Sequence, residues 1–141
     1  MIRYVLIGIM LLISVLSFGF VDKQLTEQEL LASIITAECS ICSGQEMALV
    51  GSTVLNRRDS KYFPNTIRAV LYQKSQYLGV RSKWFIPTPK TLSIANRLLN
   101  GKDRDYEVFY FYKPKSSNQS FVKAMESKIK YIMDYHIFAK Y

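Results

Sequence analysis

Apolar positions recur with the period of an α-helix from Leu30 onward. Leu30, Leu31, Ile34 and Ile35 share one face, and Thr26-Glu27-Gln28-Glu29 ahead of them forms a capping box that opens the helix. Ser43-Gly44 breaks the pattern. A second helix follows, with Ser43 and Glu46 as another S-x-x-E box and Met47, Val50 and Val54 as its buried stripe, ending near Asp59-Ser60. Pro64 precedes a short helix through Thr66, Ile67, Val70 and Leu71, and a polar, aromatic loop runs from Tyr72 to Pro87. Thr88 then caps a helix that has Pro89 in its first turn, a stripe of Leu92, Ile94, Ala95, Leu98 and Leu99, and Gly101 as its stop. Glu107 to Lys113, EVFYFYK, reads as a strand. Ser116 to Ser120 is a polar loop, and residues 121–141 mix a helical pattern with a last aromatic stretch around His136-Ile137-Phe138. The expectation is a single, mostly helical α+β domain with no internal repeat and no linker after residue 25.

The first twenty residues differ. MIRYVLIGIMLLISVLSFGF carries one charge, Arg3, then an uncharged run from Tyr4 to Phe20 that Asp22 and Lys23 end. The run is longer than the apolar core of most signal peptides and at the short limit of a membrane span. Ser17-Phe18-Gly19 puts small residues where a signal peptidase cuts, and Arg3 favours a cytoplasmic N-terminus. Residues 1–20 are expected to be a cleaved signal peptide or an N-terminal membrane anchor. Residues 21–141 are then an exported domain, periplasmic, at the cell envelope or secreted. A buried core helix is the plainer alternative, disfavoured by the terminal position and flanking charges.

Composition changes the picture only in part. Hydrophobic residues make up 49% and charged residues 21% of the 141, which excludes a disordered chain. The formal charge of +8 suits a polyanion, whether nucleic acid, acidic lipid or an anionic wall polymer, or serves solubility alone. The basic residues are scattered and form no recognition motif, so nucleic acid is not expected as a partner. Cys39 and Cys42 stand three apart, within disulfide reach in a helical turn, and a bridge fits an oxidising compartment. Two free thiols are the alternative, and a C-x-x-C redox motif lacks its βαβ context. Zinc is discounted because the chain offers only these two cysteines and one histidine. No metal and no cofactor is expected.

Among the acids, Glu29 and Glu46 have local work as helix caps. Glu38 has none. It continues the apolar stripe of Leu31, Ile34 and Ile35 onto the last turn of the first helix, facing the core side near the negative end of the helix dipole. Both effects raise a carboxyl pKa, and an acid held protonated near neutrality is what general acid catalysis requires. An edge glutamate turned to solvent, or one paired with Arg57 or Arg58, is the plainer alternative. His136 reads as a packed or hydrogen-bonded histidine. Trp84 and the tyrosines are candidates for stacking on sugar rings, or core residues. Asn56-Arg57-Arg58 closes a helix where cations suit the dipole.

From about Leu30 to the C-terminus the chain resembles the SleB-like cell-wall hydrolase family, whose best-known members are spore-cortex-lytic enzymes. The resemblance rests on Ala37-Glu38, Gly44-Gln45, Val54-Leu55-Asn56-Arg57, Phe63-Pro64-Asn65-Thr66-Ile67, Val70-Leu71-Tyr72-Gln73, Gln76-Tyr77, Leu99-Asn100-Gly101, Phe109-Tyr110-Phe111-Tyr112 and His136-Ile137-Phe138, in the family's order. After Glu38 the family continues with Ala-Arg-Gly-Glu and a longer loop. Cys39-Ser40-Ile41-Cys42-Ser43 stands here instead, and the second family glutamate is replaced by Cys42. The resemblance implies a lysozyme-like, resuscitation-promoting-factor-like fold. It also implies lytic transglycosylase cleavage of peptidoglycan between N-acetylmuramic acid and N-acetylglucosamine, with Glu38 as the catalytic acid. Gln76, Tyr110 and Tyr112 are the expected groove residues, acting on peptidoglycan in a monomer. A non-catalytic wall-binding or virion structural domain of the same fold is the rival.

Overall fold

A computed structural model describes residues 24–74, 76–77 and 86–141, so the expectations for residues 1–20 and for Trp84 lie outside the described residues. Among the described residues five α-helices run in chain order: α1 (Glu27–Cys39), α2 (Gly44–Asp59), α3 (Ile67–Leu71), α4 (Pro89–Leu99) and α5 (Gln119–Met125). Three short strands are described with them, β1 (Tyr110–Tyr112) ahead of α5 and β2 (Ile129–Ile132) and β3 (Ile137–Ala139) after it. Among the described residues no helix is long and apolar enough to cross a membrane.

The helix ends follow local chemistry. Thr26 accepts the Glu29 N–H while Glu29 reaches back to the Thr26 N–H at 2.8 Å, completing the capping box that starts α1. Ser43, Thr66 and Thr88 cap α2, α3 and α4 in the same manner, each accepting an N–H three residues on. Gly101 adopts φ +74°, and the N–H groups of Gly101 and Lys102 close onto Leu98 and Arg97 carbonyls, a Schellman stop for α4.

Helices α1, α2 and α4 pack on one another around Leu31, Ile34, Ile35, Val50, Val54, Leu55, Ala95 and Leu98, all essentially solvent-free. Gly51 lies where the three meet. A Cβ there would collide with Leu98 Cδ1 and stand 3.0 Å from Ile35 Cδ1. Gly51→Val is therefore expected to lower stability by about 1–3 kcal/mol through overpacking. The check is the urea midpoint at unchanged m-value.

The sheet has the order β1-β3-β2 and is antiparallel throughout. Phe138 in the central strand faces Phe111 on one side and Tyr131 on the other, and buries its ring completely. The strand expected over Glu107–Lys113 contracts to three residues. Its lead-in is held instead by side chains of α2: Asn56 Nδ2 donates to the carbonyls of Asp105 and Val108 at 2.7 and 2.8 Å. Strand β2 falls where the sequence pattern reads as helix. It is fixed by pairing with β3, and by Lys130 and Tyr131 bonding Asp105.

Candidate active site

Between the C-terminal end of α1, the α3 region and β1 lies an open groove of about 830 Å³. Glu38, Gln76, Tyr110 and Tyr112, separated widely in sequence, all line it. The last turn of α1 carries Glu38 to its wall, and the Cys39–Cys42 disulfide closes the chain immediately beyond.

Glu38 is half-buried, and no hydrogen bond or ion pair is formed by its carboxylate with the other described residues. Neither arginine takes it: Arg58 pairs with Asp59 and Glu27, and Arg57 turns elsewhere. Burial raises the Glu38 pKa above 4.5, and the nearby Lys113 ammonium offsets part of that rise. The carboxyl is thus protonated over a wider pH range than a surface glutamate, with a cation beside it for the ionised form.

Arg57 organises the floor of the groove. Its Nε donates to the Phe109 carbonyl at 2.7 Å and its Nη1 to Gln76 Oε1 at 3.0 Å. Its guanidinium lies 5.1, 5.5 and 5.3 Å from the ring centres of Phe63, Tyr77 and Tyr110. With its oxygen held by Arg57, Gln76 has its amide N–H₂ left to donate into the exposed part of the groove. Tyr110 packs edge-on to Phe121, as does Tyr112, whose buried hydroxyl has no partner among the described residues. Burial pushes the Tyr77 phenol up to about 12, so a neutral O–H stands in the same wall as Glu38. Arg57, Tyr77 and Lys113 are groove residues that the sequence did not single out for it. For Tyr77 and Lys113, adjacency to Gln76 and Tyr112 was the one available signal.

Glu46 departs from the expectation of a helix cap. Ser43 does accept the Glu46 N–H at 3.1 Å, but the carboxylate turns inward and is fully buried. Oε1 accepts from His136 Nδ1 at 2.9 Å and from the Tyr135 N–H at 3.1 Å. A buried imidazole needs an acceptor more than an exposed helix start needs a second cap. Desolvation, ahead of the opposing Glu46 contact, lowers the His136 pKa from 6.5, and beside a carboxylate oxygen, which can only accept, Nδ1–H is the donor. His136 is the packed, hydrogen-bonded residue expected of it. Glu46 joins His136 and the bridged Cys39 and Cys42 in one buried cluster.

Asp103, Asp105 and Glu107 are engaged elsewhere. Asp103 pairs with Arg97, Asp105 with Lys130, and Glu107 with Lys130 and Lys140. Among the described residues Glu38 is the one acid lining the groove.

The model of the family described as Cell Wall Hydrolase matches residues 43–139. The chain belongs to the cell wall hydrolase family. The matched segment starts at Ser43, so Glu38 stands just outside it. The catalytic domain of the Bacillus cereus SleB protein shares the hydrolase's fold with a TM-score of 0.69 at 22% identity, over 85% of this chain and 95% of that one. The catalytic domain of a germination-specific lytic transglycosylase, SleB from Bacillus anthracis, does so with a TM-score of 0.69 at 18% identity, over 85% of this chain and all of that one. Among curated proteins none matches. The α+β, mostly helical architecture expected of the hydrolase is therefore that of the SleB catalytic domains.

Proposed function

We propose that this cell wall hydrolase cleaves the glycan strand of peptidoglycan between N-acetylmuramic acid and N-acetylglucosamine as a lytic transglycosylase, with Glu38 as general acid and then base. The observation that carries this reading is the solitary, desolvated carboxyl of Glu38 in a groove that has no second described acid. Ordinary retaining or inverting hydrolysis uses two carboxylates flanking the bond. Intramolecular transfer needs one. Glu38 gives its proton to the bridging oxygen, and the bond from that oxygen to muramic C1 breaks. The C6 hydroxyl of the same sugar bonds to C1, and its proton returns to the Glu38 carboxylate. No water is consumed, and a 1,6-anhydro end forms. Lys113 favours the carboxylate in the interval between the two transfers. Gln76, Tyr110 and Tyr112 hold the sugars, through an amide donor and ring faces. The +8 charge suits an anionic wall, and the disulfide suits an exported monomer that residues 1–20 deliver or tether.

The test is digestion of purified peptidoglycan by the full-length chain, with products read by mass spectrometry. Anhydro-muropeptides are expected. Reducing-end muropeptides would overturn the transglycosylase reading, and wall binding without any product would overturn the catalytic one.

The pH profile follows from the sign of the Glu38 shift. The acid must start protonated, so kcat/KM is expected to fall as pH rises through the folded-state pKa, at a pH above 4.5. Stability carries the same signature. Because the fold raises this pKa, the Glu38 contribution is most favourable below the unfolded value and is lost as pH rises through the folded one. Unfolding midpoints across that interval, compared with those of Glu38→Gln, isolate it.

A further inference from the structure

At the back of the groove, which His136 also lines, and not used by the glycan chemistry, lies the cluster of Cys39, Cys42, Glu46 and His136. The four residues are 1%, 5%, 0% and 1% exposed, and one donor atom from each lies within 4.8 Å of all the others. Cys39 Sγ is 3.9 Å from His136 Nδ1, which is 2.9 Å from Glu46 Oε1. Glu46 Oε2 and His136 Nε2 are buried without a partner among the described residues, so each side chain retains an unused lone pair or donor. A bridged pair of sulfurs is a poor match for a buried carboxylate and imidazole. A pair of thiolates around a cation is a good one.

We propose that Cys39, Cys42, Glu46 and His136 form a Zn²⁺ site when the Cys39–Cys42 bridge is reduced. Three features carry it. Cys-x-x-Cys is a typical zinc-ligand spacing, and Cys, His and carboxylate are the usual zinc donors. Four ligands complete a structural tetrahedron. With bonds of about 2.3 Å to sulfur and about 2.0 Å to nitrogen, that tetrahedron sets sulfur to nitrogen at about 3.5 Å and sulfur to sulfur at about 3.8 Å. The observed 3.9 Å between Cys39 Sγ and His136 Nδ1 is already close to the first, so zinc would take Nδ1 once the ring proton now shared with Glu46 Oε1 moves to Nε2 and the two sulfurs part. Charge also balances. Two thiolates and one carboxylate around Zn²⁺ leave one negative charge, and Lys113 lies near enough to act on both His136 and Glu38.

The reductant is a dithiol. Its thiolate attacks one bridge sulfur and its second thiol resolves the mixed disulfide, leaving Cys39 and Cys42 as thiols and the dithiol as a cyclic disulfide. Zinc then displaces the two thiol protons. The end of α1 is clamped in either state, by a bond in an oxidising compartment and by a metal where thiols persist. The site stands independently of the role given to Glu38.

The test uses the full-length chain, reduced under anaerobic conditions and titrated with Co²⁺. One equivalent is expected to give a thiolate-to-cobalt charge-transfer band and tetrahedral ligand-field bands, which Zn²⁺ bleaches, while the oxidised chain gives neither. Glu46→Gln and His136→Gln are each expected to weaken binding at least tenfold, and zinc to raise the melting temperature of the reduced wild type. X-ray absorption of the wild-type zinc complex, which needs no variant to fold, should count two sulfur and two nitrogen or oxygen ligands. A reduced chain without the charge-transfer band, equal binding by the oxidised chain, or any other ligand count would overturn the proposal.

Discussion

Glu38→Gln is expected to lower the rate of peptidoglycan cleavage by a factor of about 10²–10⁴ while leaving the melting temperature at neutral pH unchanged or slightly raised. The first half follows from the absence of a substitute. A glutamine cannot give up a proton to the bridging oxygen, and among the described residues no other acid lines the groove. The second half follows from the direction of the pKa shift. Burial makes ionised Glu38 costly, so a neutral isostere removes a penalty rather than a contact. The two halves together separate a catalytic role from a structural one. A variant that lost activity and melted lower would place Glu38 among the residues that hold the fold. A variant that kept activity would end the proposed mechanism. Wall binding measured alongside should be retained, since Gln76, Tyr110 and Tyr112 are untouched.

The helical part of this protein was legible because its signals are local. Thr26, Ser43, Thr66 and Thr88 each act on an N–H three residues away, and the stripes from Leu31 to Ile35 and from Leu92 to Leu99 need only a helical period. Glu38 was legible for the same reason, as a polar residue in register with an apolar face. What the local pattern could not show were choices made across the chain. Glu46 satisfies a cap by its backbone and a histidine ninety residues away by its side chain, and only the second explains its burial. Strand β2 has too few residues to announce itself, and exists because β3 offers an edge and Asp105 an anchor for Lys130. The groove residues Gln76, Tyr110 and Tyr112 came from family resemblance and not from pattern. The geometry shows why pattern is silent: Gln76 and Tyr110 meet at Arg57, which reads in sequence as an ordinary cation at a helix end.

That position supplies the second large effect. Arg57→Ala is expected to destabilise the fold by about 3 kcal/mol or more, and to reduce kcat/KM beyond what the unfolded fraction explains. Arg57 is buried without a carboxylate partner among the described residues; what balances its charge there is two oxygen acceptors and three aromatic faces. Truncation leaves the Phe109 carbonyl without its donor, opens a cavity between Phe63, Tyr77 and Tyr110, and frees Gln76. Each loss is of the kind that costs most when buried. Arg57→Lys divides the two roles. An ammonium keeps the charge under the rings, but cannot reproduce the planar fork that reaches Phe109 and Gln76 together. That variant should recover most of the urea midpoint yet remain about tenfold low in kcat/KM, the size of one charge-assisted hydrogen bond. Recovery of both quantities together would mean that Arg57 serves packing alone. Recovery of stability without activity would mean that the groove is built on the one side chain that ties α2 to β1 and holds Gln76 in place.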